Sequence, residues 1–298
     1  MKDIKYWIWF SRIDNISNKQ KLRLLEVFHT PEKLLSVTKE CKTKIDGVDE
    51  NWVNKITKYE YRQNLDKYLE YILKNNIHII TLFDERYPKL LNNIYDRPIV
   101  LYAKGNVNLL RRSGIAVVGC RNCSSYGKNV ALKLSYDLAK HNITIISGLA
   151  RGIDTYSHIG ALEAGGNTIA VIGNGIDYIY PYENKNLCER IINNNGLIVT
   201  EYIVGTRPQK DYFPARNRII SGLSQGVVVV EAKEKSGALI TADFALEQGK
   251  DVFAVPGNIN SLNSYGTNDL IKQGAYVLTD FADITKFYTD FDIKYNKY

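Results

Sequence analysis

One segment, residues 115–127 with the sequence IAVVGCRNCSSYG, restricts the fold of this chain more than any other. Four apolar residues lead directly into a glycine, an arginine and small hydroxyl residues, and a helical pattern follows over residues 128–140. A continuous apolar run of this kind is typical of a strand buried inside a parallel sheet. The loop after it leads to a helix N-terminus, where outward-pointing N–H groups bind anions. The segment therefore predicts a strand–loop–helix unit with an anion site in its loop.

Residues 111–298 repeat this alternation of strand and helix. Strands are predicted at residues 115–119, 143–147, 168–173, 197–201, 227–231, 251–255 and 275–278. Helical patterns separate most of them, at residues 128–140, 153–164, 183–193, 215–222, 241–249 and 267–273. Such alternation predicts an α/β fold, in which a doubly wound, mostly parallel sheet is covered on both faces and ligands bind at the carboxyl ends of the strands.

The N-terminal part of the chain has a different pattern. Residues 1–76 are predicted to form a small helical domain, with amphipathic segments at residues 19–28, 51–56 and 64–74 and with Trp7, Trp9 and Trp52 in its core. Residues 77–110 are interpreted as a connector with short strands at residues 77–82 and 99–102. Residues 111–298 then form the α/β domain, and no further domain is expected after it.

The charge and the cysteine content exclude few classes of function. Lys and Arg number 39 against 32 Asp and Glu, and the formal net charge of +7 suits a polyanionic partner without requiring one. No apolar run could span a bilayer or act as a signal peptide, so a cytoplasmic protein without membrane contact is expected. Cys120 and Cys123 form a lone C-x-x-C pair that no second pair or His cluster completes. Reduced cysteines are therefore expected, with no metal and no cofactor.

The loop after the strand at residues 115–119 is the strongest candidate for anion binding. It lacks the G-x-G-x-x-G pattern of dinucleotide-binding loops and has a single glycine followed by a cation, which disfavours a dinucleotide cofactor. A phosphate held by Arg121 and by backbone amides is favoured instead. A salt bridge of Arg121 within the loop is the alternative. The candidate residues here are Gly119, Arg121, Ser124, Tyr126 and Gly127.

The next two strand-end loops have similar features. The second predicted strand ends in a turn suited to binding an anion, with the candidates Ser147, Gly148, Arg151 and Gly152. The third ends in a close-approach turn with the candidates Gly173 and Gly175. The helix after the second turn carries Asp154 and His158 on one face. These two residues could form an acid–base pair, but a structural hydrogen bond is favoured because no nucleophile accompanies them.

Residues 205–224, GTRPQKDYFPARNRIISGLS, combine closely spaced cations with aromatic side chains. In proteins that bind single-stranded nucleic acid, cations follow the phosphates while aromatic rings stack on bases. Phe213 is the predicted stacking residue, and packing in the core beside Pro214 is the alternative. The candidates are Lys210, Phe213, Arg216, Asn217 and Arg218, together with Lys235 in the loop after the next strand.

Several segments resemble, in unbroken order, the sequence blocks of the DprA/Smf family, the DNA-processing proteins of bacterial transformation. These blocks are VGCRNCSSYG, SGLARGIDTYSHIGAL, AVIGNGIDYIYP, FPARNRIISGLS, EAKEKSGALITADFALEQGKDVFAVPG and GTNDLIKQGA. They cover roughly residues 87–275, and so many linked blocks make the resemblance highly specific. The first domain resembles, more weakly, the helical SAM-like N-terminal domain of the family. Some relatives carry a C-terminal winged-helix domain, which this chain is expected to lack because it ends too early.

The resemblance implies an extended Rossmann fold that binds single-stranded DNA, forms a homodimer through this domain and delivers a RecA-type recombinase to the DNA. It implies no catalytic residues. Arg121 matches the phosphate-binding arginine of the family, whereas Cys120 stands where serine or threonine is usual. The other matching positions are Gly119, Ser147 and Gly148 in the backbone-amide turns and Lys210 and Phe213 beside the DNA path.

Two other functions remain open at this stage. LOG-type phosphoribohydrolases have a similar topology, and this chain has Ser236, Gly237 and Glu247 in the corresponding region but lacks their PGGxGT loop. A protein that senses a small nucleotide in the same pocket is the other alternative. The sequence also leaves open whether the physiological role is transformation, repair or phage defence.

Overall fold

The computed structural model describes residues 3–13, 16–40, 52, 56 and 65–288. The N-terminal part is helical, with α1 at Ile4–Ser11, α2 at Asn18–Phe28, α3 at Pro31–Glu40 and α4 at Leu65–Lys74. Most of the predicted helix at residues 51–56 lies outside the described residues. Ser17 begins α2 with a capping box, in which its hydroxyl accepts the Gln20 N–H while the Gln20 side chain accepts the Ser17 N–H.

The rest of the described chain is built on one sheet. Its nine described strands are β1 His78–Thr81, β2 Val100–Gly105, β3 Gly114–Val118, β4 Thr144–Ser147, β5 Thr168–Val171, β6 Leu197–Thr200, β7 Gly226–Val229, β8 Asp251–Ala254 and β9 Tyr276–Val277. They lie in the order β1-β2-β6-β5-β4-β3-β7-β8-β9. The pairs β1–β2 and β2–β6 are antiparallel, and the other pairs are parallel.

Helices follow most of the parallel strands, which confirms the predicted doubly wound α/β fold. They are α5 Ser125–Lys140, α6 Ile153–Glu163, α7 Lys185–Asn193, α8 Tyr212–Leu223, α9 Gly237–Glu247, α10 Tyr265–Lys272 and α11 Ala282–Thr285. Short 3-10 segments occur at Lys89–Asn93, Val107–Arg111, Tyr182–Asn184 and Leu262–Ser264. None of the helices in the described ranges has both the length and the hydrophobicity of a membrane span.

Alternate residues of the central strand β3 face opposite sides of the sheet. Ile115 and Val117 pack in a core with α5 and α6, whereas Ala116 and Val118 pack in a second core with α8 and α9. Every residue of β3 is buried, because helices cover both faces. Full burial of one such aliphatic side chain contributes about 1.5–3 kcal/mol.

The strand order reverses beside β3. From β3 the sheet extends through β4 and β5 to β6, and the chain then returns to place β7 on the opposite side of β3. Helix α5 leaves β3 on one face of the sheet, and α9 leaves β7 on the other. The loops after β3 and β7 therefore diverge and leave a crevice at their carboxyl ends, where ligands bind in folds of this class.

The predicted connector, residues 77–110, contributes more than a link. Its two strands extend the sheet at β6, and Ile80, Leu101 and Ala103 join the core that also contains Val118. The other faces of β1 and β2 pack against the N-terminal helices. The division of the chain into three domains remains a prediction.

Two of the three tryptophans have the predicted position. Trp7 and Trp9 are buried against the strands of residues 77–110, whereas Trp52 packs at the edge of this cluster and is only partly buried. These tryptophans thus join the N-terminal helices to the sheet.

Several helices begin earlier than predicted, among them the two that follow β6 and β7. Helix α8 begins at Tyr212 rather than residue 215, and α9 begins at Gly237 rather than residue 241. Pro214 lies in the first turn of α8, where a missing N–H breaks no intrahelical hydrogen bond. As a result, Tyr212 and Phe213 belong to the helix rather than to the loop before it.

A buried ion pair holds α8 against the end of β6. The Arg218 guanidinium donates to both carboxylate oxygens of Glu201, at 2.6 and 2.7 Å, and its Nε donates to Asp96 Oδ2 at 2.7 Å. The Arg218 side chain is only 5% exposed. Arg218 was predicted to contact DNA, but its donors are occupied by these carboxylates, so we correct that assignment to a structural role.

We expect Glu201→Gln to lower the free energy of unfolding by about 3 kcal/mol, because it leaves a buried guanidinium without its main counter-charge. Urea unfolding followed by circular dichroism measures this change. Glu183→Gln is the control, because Glu183 pairs with Arg151 at the surface and exposed pairs contribute little. Equal transition midpoints for the two variants would contradict the structural role of Arg218.

Candidate functional site

A cleft of about 750 Å³ opens at the carboxyl ends of the parallel strands. Residues 118–122 after β3, residues 150–154 after β4 and residues 233–241 after β7 form three of its walls, and residues 208–217 form the fourth. The cleft therefore lies at the crevice between β3 and β7, where the strand order reverses. Of the predicted site residues, Gly119, Arg121, Arg151, Lys210, Phe213, Arg216, Asn217 and Lys235 line it.

The exposed charges of the cleft are positive. They belong to Arg121, Arg151, Lys210, Lys233 and Lys235. Among the described residues that line the cleft, the only carboxylate is that of Asp154, which is 5% exposed. A concave surface with charges of one sign attracts an oppositely charged polymer over a distance set by the ionic strength.

Phe213 forms an aromatic wall of the cleft. Its ring lies 5.3 Å from the Tyr180 ring, centroid to centroid, and the Arg121 guanidinium lies over it, 5.7 Å from its centroid. Gly173 lies behind it, where a Cβ would approach Phe213 Cδ1 to 3.1 Å. The ring is only partly buried, so the alternative of a core phenylalanine does not describe it.

The two exposed arginines of the cleft differ in their partners. Arg151 forms an ion pair with Glu183 at the mouth of the cleft, and both side chains are 60% exposed. No ion pair of Arg121 occurs in the part of the chain that the structure describes, so the alternative of a salt bridge within its loop is not observed. The guanidinium of Arg121 can therefore accept an anion without first losing a carboxylate.

Arg216 lines the cleft but is almost completely buried. Its Nη1 donates to the carbonyl oxygens of Gly148, at 2.7 Å, and of Val171, and the residue is 4% exposed. Burial lowers the pKa of its guanidinium to about 10, which leaves it charged at neutral pH. Asp154 lies beside it and accepts the N–H groups of Gly148 and Ala150. Burial raises the pKa of Asp154, and Arg216 opposes this rise.

The turn between β3 and α5 is also occupied by a side chain of the protein, that of Glu231. The Glu231 carboxylate accepts the Ser124 N–H at 2.8 Å and the Ser124 hydroxyl at 2.5 Å. The Ser124 hydroxyl in turn accepts the Gly127 N–H at 3.1 Å. A Cβ on Gly127 would overlap the Glu231 carboxylate. Ser124, predicted to contact phosphate, instead binds a carboxylate of the same chain, and the Gly127 N–H, also predicted to contact phosphate, donates to the Ser124 hydroxyl. This correction follows from a contact between residues far apart in the sequence.

The remaining predicted residues contact other parts of the protein and do not line the cleft. The Ser147 hydroxyl donates to Val117 O between two strands, and Gly152 has a φ of +74° where a Cβ would overlap the backbone of Cys120 and Arg121. Gly175 lies against the backbone of Ile203, outside the lining of the cleft. Tyr126 is half exposed, but its hydroxyl donates to Pro256 O, also outside the cleft. These four positions shape or flank the cleft without lining it.

The residues considered for catalysis do not form an active site. His158 is buried and its Nδ1 lies 2.7 Å from Thr168 Oγ1, so it makes a structural hydrogen bond rather than pairing with Asp154. Burial, with a smaller contribution from Arg216, lowers the pKa of His158 to about 3 and keeps the imidazole neutral. Gly237 and Glu247 are the first and last residues of α9, roughly 15 Å apart along its axis. This separation does not suit the LOG-type alternative.

The C-x-x-C pair shows no sign of metal or redox chemistry. Burial and the neighbouring Glu231 carboxylate raise the pKa of Cys120 to about 12, which makes its thiolate inaccessible at neutral pH. Within the described residues, no group of His, Cys, Asp and Glu side chains could hold a metal ion.

Sequence reasoning missed the contacts that connect distant residues in this region. Tyr180 and Lys233 lie in strand-end loops, but the contact of Tyr180 with Phe213 and the contribution of Lys233 to the cleft emerge only from the fold. The hydrogen bonds of Glu231 to Ser124 were missed as well. Position at a strand end was the available signal for all three residues, because such ends converge at one edge of a parallel sheet.

The fold and the cleft define a doubly wound α/β protein whose ligand cleft combines exposed cations with an aromatic wall and has no glycine-rich cofactor loop. The model of the family described as DNA recombination-mediator protein A matches residues 78–289. The chain therefore belongs to the DNA recombination-mediator protein A family.

Known proteins of the family support this assignment. The DNA processing protein DprA of Streptococcus pneumoniae is 48% identical over 204 residues, which are 68% of this chain and 72% of that protein. The X-ray structure of DprA from Streptococcus pneumoniae has a TM-score of 0.81 at 37% identity and covers 95% of this chain and 98% of that one. A structure of DNA processing protein A from Helicobacter pylori has a TM-score of 0.64 at 33% identity, with 70% and 95% covered.

Proposed function

We propose that this protein binds single-stranded DNA in the cleft, largely without sequence preference, and that it acts as a recombination mediator rather than as an enzyme. One observation carries the proposal: five exposed cations line the same cleft as the partly exposed Phe213 at the strand-order reversal, and no exposed carboxylate lines it among the described residues. Free nucleotide hydrolysis, the alternative, has no comparable support because its candidate residues lie at opposite ends of α9.

The chemistry of the lining explains the expected lack of sequence preference. Arg121, Lys210, Lys233 and Lys235 have no described ion pair, so they can bind phosphates that every nucleotide carries. A base stacked on Phe213 would contribute through its π-face, which all four bases possess. Neither contact depends on the hydrogen-bonding edge of a base.

The relatives support the same ligand class. The Helicobacter pylori structure was described in terms of a single-stranded DNA binding mode, and the family description names recombination mediation. Delivery of a RecA-type recombinase and a homodimer formed through the Rossmann domain are proposed on the family resemblance alone. A cytoplasmic location is proposed on the sequence pattern alone.

The cation contacts predict a steep salt dependence of DNA binding. We expect the Arg121→Ala, Lys210→Ala double variant to bind fluorescent oligo-dT more weakly than the wild type. The slope of log affinity against log salt should fall by about 0.7 for each phosphate that the variant no longer neutralises. Fluorescence anisotropy at several salt concentrations measures both quantities. Arg207→Ala is the control, because Arg207 is an exposed cation of the same loop that does not line the cleft. A double variant that behaves like this control would overturn the assignment.

The aromatic wall predicts a contribution that does not depend on salt. We expect Phe213→Ala to cost roughly 1–3 kcal/mol of binding free energy and to leave the salt slope unchanged, since stacking involves no charge. Phe213→Tyr keeps the ring and should retain most of the affinity. Anisotropy titrations of the two variants with oligo-dT decide the point. An equal loss in both variants, or a loss well below this range in Phe213→Ala, would count against stacking.

The mediator role predicts an effect on a recombinase. When oligo-dT is coated with a single-strand-binding protein, this chain should increase the DNA-dependent ATPase of a RecA-type recombinase, and the Arg121→Ala, Lys210→Ala variant should increase it less. Light scattering should give twice the mass of the chain if the homodimer forms. DNA binding without any increase in the ATPase would restrict the function to binding.

A further inference from the structure

The turn between β3 and α5 holds an anion that belongs to the protein itself. Glu231 follows β7 and is 2% exposed. Its carboxylate accepts the Ser124 N–H and hydroxyl, lies 3.4 Å from Asn263 Nδ2 and 3.6 Å from Cys120 Sγ. Its main-chain carbonyl accepts the Cys120 N–H at 2.8 Å. Both the side chain and the backbone of Glu231 thus bind the loop after β3.

This turn is where a nucleotide-binding protein of the same topology would hold a phosphate. In doubly wound folds the first strand–helix turn at the strand-order reversal places a phosphate at the helix N-terminus. Here Glu231 supplies the negative charge at this position, and a carboxylate near a helix N-terminus is stabilised by the helix dipole. Gly127 leaves the space into which the carboxylate fits.

The turn after β4 also donates N–H groups to a carboxylate of the protein, and a different residue, Asp154, supplies it. The buried carboxylate of Asp154 accepts the N–H groups of Gly148 and Ala150 at 3.1 and 3.3 Å. Two successive strand-end turns therefore donate backbone N–H groups to carboxylates of the chain, Ser124 in the first turn and Gly148 and Ala150 in the second. The cations that remain accessible, such as Arg121, Lys210 and Lys235, lie around the cleft and are separated from one another along the sequence.

We propose that Glu231 is a specificity-determining residue, which occupies the phosphate position of the β3–α5 turn and so excludes free nucleotides from the cleft. An isolated phosphate finds no enclosed set of amides there. A polymer contacts several separate cations at once, and the contacts of one strand add through their proximity. The inference rests on the proposed binding of single-stranded DNA, since it explains why the cleft would select the polymer over its monomers.

The first experiment removes the Glu231 carboxylate from the turn between β3 and α5. We would follow thermal unfolding of Glu231→Ala with inorganic phosphate and with AMP, each against sodium chloride at equal ionic strength. Removal of the carboxylate should lower the Tm in chloride and leave the Ser124 donors free for an added anion. Phosphate at about ten times its Kd should then raise the Tm by roughly 3–6 °C.

The matched control is Glu234→Ala, which removes the same charge from an exposed residue three positions away. The wild type and this control should show no phosphate-specific rise in Tm. An equal rise in all three proteins would overturn the proposal, because the turn would then be open in the wild type. No rise in Glu231→Ala would also overturn it, because the turn would then not be a phosphate position.

A second measurement uses the wild type alone and does not depend on the folding of a variant. AMP or pyrophosphate at millimolar concentration should not displace fluorescent oligo-dT beyond the effect of equal ionic strength, and specific displacement would refute the exclusion. The phosphate experiment is read without DNA. A wild type that fails to bind oligo-dT would therefore contradict the proposed function, while the Tm comparison would still report on Glu231.

Discussion

The guanidinium of Arg216 joins the parts of the molecule that meet beneath the cleft. It bonds to the carbonyl oxygens of Gly148 and Val171, which lie at the ends of two adjacent parallel strands, and its charge is balanced by buried Asp154. Transfer of a charge from water to the protein interior is costly unless such partners surround it. The Arg216 guanidinium and its partners therefore have to keep their relative positions. Because Arg216 belongs to α8, it also fixes the first turn of that helix. The position of the Phe213 ring therefore depends on a charge that is almost completely buried.

Charged side chains in this region fall into two groups that the structure keeps apart. Arg216 and Arg218 are buried and bind carbonyls or carboxylates of the chain, whereas Arg121, Lys210 and Lys235 are exposed around the cleft. All five lie in segments with similar local composition. The buried arginines stabilise the surrounding loops. The exposed cations are hydrated and can exchange that water for a phosphate.

Much of the architecture could be predicted because the strands are buried on both faces. A run such as residues 115–118 has to be covered on both sides, and the loops at the ends of such strands converge at one edge. The cleft and the place of Arg121 in its lining followed from this pattern, whereas Lys210 and Phe213 were singled out by the spacing of cations and aromatic residues in residues 205–224. The early start of α8 was missed because Pro214 suggests a break, although a helix tolerates proline in its first turn. The roles of Ser124 and Arg218 were missed because Glu231 and Glu201, which satisfy them, are distant in the sequence.

The walls of the cleft come from segments spread over residues 118–241. Each wall includes the loop that follows a strand, and such loops open locally at a lower cost than the strands before them. A ligand that touches several walls would couple these separate openings, because no loop could leave its place without breaking part of the same contact. A ligand in the cleft would then make loops that otherwise open separately open together.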